Sequence, residues 1–192
     1  YGAMLALIQS GGGALGIARE MADSANPDDC RPLNGLLSPL PLPEQIRDFA
    51  NYELHVRQAL NSSMRLRASR SSDPDAELAR LQASGLFAIP DIWYRRPFYY
   101  KCNRFSVVGP DAEIEWPAFS GFMDYELELA VVIGRKVRDV SPQEAMDAVF
   151  GYTIYNDFSA RDMQAEDTSF RMGPAKGKDF DSGNAMGPCI VT

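Results

Sequence analysis

The stretch "FMDYELELAVVIG", residues 122–134, sets Glu126 and Glu128 two residues apart just ahead of an apolar run. Alternate side chains of a strand share a face, so Asp124, Glu126 and Glu128 project one way and Tyr125, Leu127 and Leu129 the other. From Ala130 to Ile133 both faces are apolar, the pattern of a strand entering a core, which places the acids at its rim. Carboxylates so placed repel one another unless a cation stands between them, and a divalent ion that prefers oxygen ligands suits them best. The competing reading is an ordinary strand with a wet acidic face, and this segment alone leaves both open.

Around this strand the organisation is uneven. Residues 4–9 form a short apolar run closed by "SGGG" and followed by "ALGIA", which reads as two strands about a glycine turn. Residues 24–43, rich in Pro, Asn, Asp and Gly, read as a connecting loop. "PEQIRDFANYELHVRQAL", residues 43–60, opens with Pro and Glu as helices do. The polar segment 60–75 reads as a lid or break, and "AELARLQ" from Ala76 as a short helix. After Gly85 the pattern turns strand-like, in "YYKCNRFSVVG", "AEIEW", "YELELAVVIG", "GYTIYND" and "GPCIVT". One helix intervenes, "SPQEAMDAVFG", with Ser141 as its cap, Glu144 at capping-box spacing and Gly151 as its stop. The expected division is therefore a hairpin and helical region over 1–85 and a β-rich body over 86–192. The fold class is α+β.

Composition narrows the function. The chain of 192 residues is 45% hydrophobic, enough for a real core. Its 19 Lys and Arg against 26 Asp and Glu give a net charge of −7. Clustered cations are lacking beyond pieces such as "MRLRASR", so nucleic acid is not an expected partner. Cys30, Cys102 and Cys189 are odd in number and widely spaced, and read as reduced thiols of a cytoplasmic protein. No apolar run approaches the roughly 20 residues that span a bilayer, so no membrane partner is expected.

"GYTIYNDFSARDMQ", residues 151–164, supplies a third acid, Asp157, where an apolar run ends in a polar turn; an Asn-Asp turn or helix cap is the plainer reading. "GPAKGKDFD", residues 173–181, sets Lys176 and Lys178 among glycines that let backbone approach a ligand. Taken in order, "DYELELAVVIG", "GYTIYNDFSARDMQ" and "GKDFD" followed by "GP" resemble the fumarylacetoacetate hydrolase superfamily, from about residue 40 to residue 192.

The resemblance implies a mixed β-sheet roll with a smaller N-terminal α/β part, and a C-terminal portion of the family fold absent from this chain. It implies a Mg²⁺ or Mn²⁺ cofactor, replaceable by Ca²⁺ in crystals, held by Glu126, Glu128 and Asp157. Lys178 matches the family's catalytic lysine and Gln164 a substrate contact. "NYELHVRQ" resembles the lid segment whose histidine and glutamate activate water, here His55 and Glu53. The acid that short family members carry three residues after that histidine is replaced by Gln58. At about 100° per residue, Glu53 points to a different helix face from His55. In "RPFYYKCNRFSVVG" the positions that give the true fumarylacetoacetate hydrolases an extra aspartate and their histidine are Pro97 and Arg104, so the three-carboxylate branch is the closer match. Tyr99 and Arg104 become pocket-lining candidates.

Family chemistry acts on small 2-oxo acids and dicarbonyls through an enolate, and the expected reaction is acylpyruvate-type hydrolysis by a homodimer. Oxaloacetate-type decarboxylation, isomerisation and lyase chemistry share that enolate. A non-catalytic metal and metabolite-binding relative is the reading from another class, favoured by Gln58.

Overall fold

The computed structural model describes residues 2–32 and 35–192. In chain order its elements are α1 (Ala3–Gln9), α2 (Gly12–Asp23), β1 (Arg47–Phe49), α3 (Glu53–Ala68), α4 (Pro74–Ser84), β2 (Tyr99–Lys101), β3 (Val107–Val108), β4 (Met123–Asp124), β5 (Leu127–Ile133), α5 (Pro142–Met146), β6 (Val149–Asp157), β7 (Ser159–Ala160), α6 (Arg161–Ser169) and β8 (Asn184–Val191). Contacts divide them into two units, one holding the chain up to Ile46 with Cys102–Thr192, the other Arg47–Lys101. Among the described residues helices hold more of the chain than strands do, so the fold is mixed α/β rather than β-rich.

The first unit is organised by a four-stranded sheet in the order β3-β8-β6-β5. Strand β6 pairs antiparallel with β5 on one side and β8 on the other, while β3 adds to β8 in parallel. Residues Val132, Tyr155 and Met186, one from each of β5, β6 and β8, form its core with Ile8 and Leu40, and Met4, Leu5, Ile46 and Phe150 pack around them. A separate pair, β4 with β7, lies in the chain just ahead of β5 and just after β6.

Period two in β5 sorts as the alternation requires, with Glu128, Ala130 and Val132 turned inward. The expectation that 130–133 is buried on both faces is not met: Val131 is 49% and Ile133 55% exposed. Strand β5 is the sheet edge, and its outer face, with Ile154 and Val191 beside it, is open in this chain.

Four further expectations change. Residues 4–9 and "ALGIA" are helices, α1 and α2, rather than paired strands. Ala, Leu and Met favour helix, and Met4, Leu5 and Ile8 at helical spacing meet the sheet; Gly11, at φ 78°, only breaks the two helices apart. The helix expected from Pro43 begins at Glu53 instead, because residues 47–49 pair in register with residues 99–101 as β1 and β2. A tertiary partner overrides a local start signal there. The segment "AEIEW" is loop, with the Trp116 indole donating to the Ser120 carbonyl at 2.6 Å. The capping box of Ser141 and Glu144 is present, but α5 stops at Met146, and Gly151 lies inside β6.

In the second unit α3 and α4 pack through Met64, Ala68 and Leu81 with Leu78 and Phe87. Helix α3 takes in residues 60–68 of the segment read as a lid, and α4 begins at Pro74 behind an Asp73 cap that accepts the Ala76 N–H at 3.1 Å. Gly85, at φ 67°, ends α4 in the left-handed conformation that suits a glycine.

At Gly151 the backbone of β8 lies close against β6: a Cβ added there would stand 2.3 Å from the Val191 carbonyl oxygen. Gly151→Ala is expected to lower stability by about 1–3 kcal/mol, the usual range for overpacking, as a lower midpoint in urea unfolding. An unchanged midpoint would mean that the two strands part freely.

Candidate metal centre

Two strand ends build the acidic site. Glu126 lies between β4 and β5, and its backbone is tied to β6 on both sides. Asn156 Oδ1 accepts the Glu126 N–H at 3.1 Å, and the Glu126 carbonyl accepts the Asp157 N–H at 3.0 Å. Glu128 stands opposite Tyr155 in the same ladder, and Asp157 closes β6 opposite Asn184 of β8. These ties bring carboxylate oxygens of Glu126, Glu128 and Asp157 within 4.8 Å of one another.

Below them lies a buried polar knot. The Asn184 amide donates to Ser106 Oγ at 2.5 Å and to the Asn103 carbonyl at 2.9 Å, while its Oδ1 accepts the Tyr155 hydroxyl. Asn184 is fully buried, so each of these bonds satisfies a group that would otherwise cost stability. The knot fixes the start of β8 against the end of β6, and with it the backbone of Asp157.

Two cations stand on the acids. Lys178, 3% exposed, donates from Nζ to Glu126 Oε2 at 2.9 Å and to Asp157 Oδ2 at 2.5 Å. Arg161 donates from Nη1 to Glu126 Oε1 at 2.5 Å and from Nε to Asp124 Oδ2 at 3.0 Å. Burial alone would raise the Glu126 carboxyl, but Lys178 and then Arg161 outweigh it and hold it below the ordinary glutamate value. Burial would likewise lower Arg161, and Glu126 and Asp124 outweigh that to raise it.

Charge and chemistry fit a divalent cation. Asp124, Glu126, Glu128 and Asp157 set against Lys178 and Arg161 give 4 − 2 = 2 net negative charges over these six groups. The donor set is oxygen only, which suits Mg²⁺ or Mn²⁺ and not a thiolate-seeking metal. Free cysteines Cys30, Cys102 and Cys189 take no part in the cluster.

The residues singled out in the sequence fall into two groups. Glu126, Glu128, Asp157 and Lys178 meet directly, and Gln164 joins them through its Oε1, which accepts Arg161 Nη1 at 3.0 Å. His55, Glu53 and Tyr99 belong to the other unit. His55 is exposed on the first turn of α3, and the Glu53 carboxylate accepts from Arg57 and from the Tyr94 hydroxyl at 3.0 Å. Tyr99 packs against Phe49 in a tilted contact, ring centroids 5.0 Å apart. Arg104 donates to the Pro43 carbonyl at 2.5 Å and lies over the Phe105 ring.

Arg161 and Asp162 escaped the sequence reading although they sit inside the quoted "SARD". Their signal was position: the first two residues of a helix that starts directly behind β7, the short strand that follows the end of β6 at Asp157. Asp162 accepts from Ser120 Oγ at 2.6 Å and from the Gly121 N–H at 2.7 Å, and the Phe122 carbonyl accepts the Arg161 N–H at 2.8 Å. The start of α6 thus anchors the loop that leads into β4 and on to Glu126.

An oxygen-only carboxylate cluster with a buried lysine, at the ends of antiparallel strands, defines a divalent-cation type of site on a mixed α/β scaffold. The profile of the family described as Fumarylacetoacetate (FAA) hydrolase C-terminal matches residues 44–192, and the chain belongs to that family. It is 39% identical over 98 residues to the oxaloacetate tautomerase fahd2, mitochondrial, of Xenopus laevis, covering 51% of this chain and 30% of that protein. Among solved structures, Cg1458 with an inhibitor is 27% identical with a TM-score of 0.55, covering 82% of this chain and 47% of the other. A Mycobacterium abscessus protein described as "a probable 2-hydroxyhepta-2,4-diene-1,7-dioate isomerase" has a TM-score of 0.59 at 20% identity, covering 98% of this chain and 54% of the other, and shares the fold. The chain spans about half the length of these solved relatives and about a third of the curated one. Among the described residues no helix is long and apolar enough to cross a membrane.

Asp162 gives a pH test of the anchor. The Ser120 hydroxyl, then the Gly121 N–H, hold its carboxyl below the ordinary 3.8. A depressed carboxyl contributes stability above its unfolded value and loses it as pH falls through the folded one. Asp162→Asn is therefore expected to unfold at lower urea than the wild type near neutrality, with the gap closing as pH drops below 3.8. A gap that stays constant into that range would assign the loss to something other than the charged carboxylate.

Proposed function

We propose that this chain carries the metal-binding and enolate-stabilising part of a divalent-metal enzyme acting on a small 2-oxo acid. The observation that carries the reading is a buried ammonium, Lys178, held on the same carboxylates, Glu126 and Asp157, that with Glu128 could ligate the cation. A Mg²⁺ or Mn²⁺ ion bound there would act as a Lewis acid on a carbonyl oxygen.

The chain's own groups supply the rest. Lys178 presents a fixed positive charge, already desolvated, where negative charge would gather on a substrate oxygen as a proton or carboxyl group leaves the neighbouring carbon. Arg161 holds Glu126 in place and takes the Gln164 oxygen, which leaves the Gln164 NH₂ as a donor for a substrate oxygen.

Three reactions follow from the shared enolate. Loss of carbon dioxide needs neither an attacking water nor a base, while keto–enol exchange needs no attacking water but passes its proton to solvent water; the relative named as an oxaloacetate tautomerase supports a four-carbon 2-oxo diacid as substrate. Acylpyruvate-type hydrolysis needs a water and a base. That reading rests on His55, and the engagement of Glu53 with Arg57 and Tyr94 weakens the His55–Glu53 pair it would use. We therefore place enolate proton transfer or decarboxylation first and hydrolysis second.

Metal and base can be tested apart. Loss of a partner behind a metal ligand costs about 10–100-fold, so Glu128→Gln, which turns a charged ligand into a neutral amide, is expected to weaken Mn²⁺ binding and oxaloacetate turnover by about a hundredfold. Full turnover by the wild type in chelator would overturn the reading. His55→Ala is expected to change oxaloacetate enol–keto exchange or decarboxylation by less than about tenfold, against about 10²–10⁴ for acylpyruvate hydrolysis if His55 is its base. Equal losses in both would assign His55 to a role other than activating water.

A further inference from the structure

Lys178 is a long, flexible side chain whose Nζ must be placed to a fraction of an ångström to serve two carboxylates, so its backbone has to be fixed. Its peptide follows the glycine-bearing turn 173–177. The far end of α6 holds that turn. Asp167 Oδ2 accepts the N–H groups of Ala175 and Gly177, each at 3.0 Å. Within the turn, the Ala175 carbonyl accepts the N–H groups of Lys178 at 3.0 Å and Asp179 at 2.8 Å. Asp167 thus grips from outside a turn that closes on itself at Lys178.

Close packing leaves this grip little freedom. A Cβ on Gly177 would stand 2.6 Å from the Gln164 nitrogen and 2.7 Å from its Cα, so the turn lies directly on α6. On its other side the Ala160 N–H donates to the Gly177 carbonyl at 2.8 Å. Arg161 and Asp167 are six residues apart, roughly 9 Å along the axis at 1.5 Å per residue. One helix therefore fixes two sides of the same site: Glu126 through Arg161, and Lys178 through Asp167.

We propose that Asp167 is a positioning residue for Lys178, acting through the amides of Ala175 and Gly177, and that α6 is the brace setting the distance between lysine and carboxylates. Its consequence for turnover rests on the function proposed above; its consequence for Lys178 does not. A charged acceptor for two amides is stronger than a neutral one, so Asp167→Asn should give a weaker version of the effect of Asp167→Ala.

The test compares wild type, Asp167→Asn and Asp167→Ala, each also with Lys178→Ala. Two readouts need no activity. Amide exchange in the peptide 173–178 is expected to speed up about tenfold or more in Asp167→Ala and less in Asp167→Asn, with β6 unchanged. Acylation of Lys178 at one fixed pH, measured by mass spectrometry against exposed Lys136, is expected to rise several-fold in the same order. Turnover of oxaloacetate with Mn²⁺ is the third readout, expected to fall about tenfold in Asp167→Ala and to show no further fall when Asp167→Ala is added to Lys178→Ala. Unchanged Lys178 acylation in both variants, or a full additional loss of turnover without Lys178, would overturn the proposal. Absence of turnover in the wild type would overturn the proposed function and leave exchange and acylation to decide on Asp167. Should Asp167→Ala fail to fold, Asp167→Asn carries the same comparison.

Discussion

The contact on which the site depends is the buried ammonium of Lys178 on Asp157 and Glu126. Asp157 is fully buried, and a carboxylate at that depth is tolerated only with close opposite charge. Lys178 meets the same condition in reverse. Neither is stable there without the other, so every element around them serves to bring a strand end and a loop lysine to one point. Removing one partner would strand the other, a loss of about 3–5 kcal/mol for buried pairs in general. Replacing both with apolar groups of matched shape would cost far less, so stability alone does not call for the pair.

The sheet and α6 divide this work. Antiparallel pairing of β5 with β6 sets Glu126, Glu128 and Asp157 in register, and the Asn184 knot fixes the β6 end from below. Helix α6 brings the cations, Arg161 directly and Lys178 through the turn it holds. The excess of acid over base at the cluster is then a built feature: Asp124, Glu126 and Asp157 each have a bonded cation at 3.0 Å or less, and the formal balance over the six groups still favours one more divalent charge.

The residues of the candidate site were legible in the sequence where a local rule exposes them. Period two put Glu126 and Glu128 on one face, a strand ending in Asn-Asp marked Asp157, and glycines around Lys178 marked a backbone that approaches something closely. The Ser141 and Glu144 capping box was legible for the same reason, since its geometry lies within four residues. What escaped is what needs distant partners. Residues 47–49 become a strand only because residues 99–101 lie beside them, and Asp167 looks like any exposed helical acid until the turn at 175–177 folds onto it. Residues 4–9 show the other failure: a short apolar run has no period long enough to tell helix from strand. The open outer face of β5 likewise runs against a sequence that reads as buried on both sides.

The central claim is that Glu126, Glu128 and Asp157 form one divalent-cation site. Crystals of the protein soaked in Mn²⁺ and measured at a wavelength where manganese scatters anomalously address it directly. The account predicts a single strong anomalous peak bonded to oxygens of those three side chains at about 2.0–2.3 Å, and its loss in Asp157→Asn. A peak elsewhere with these carboxylates empty, or none in well-ordered soaked crystals, would contradict it.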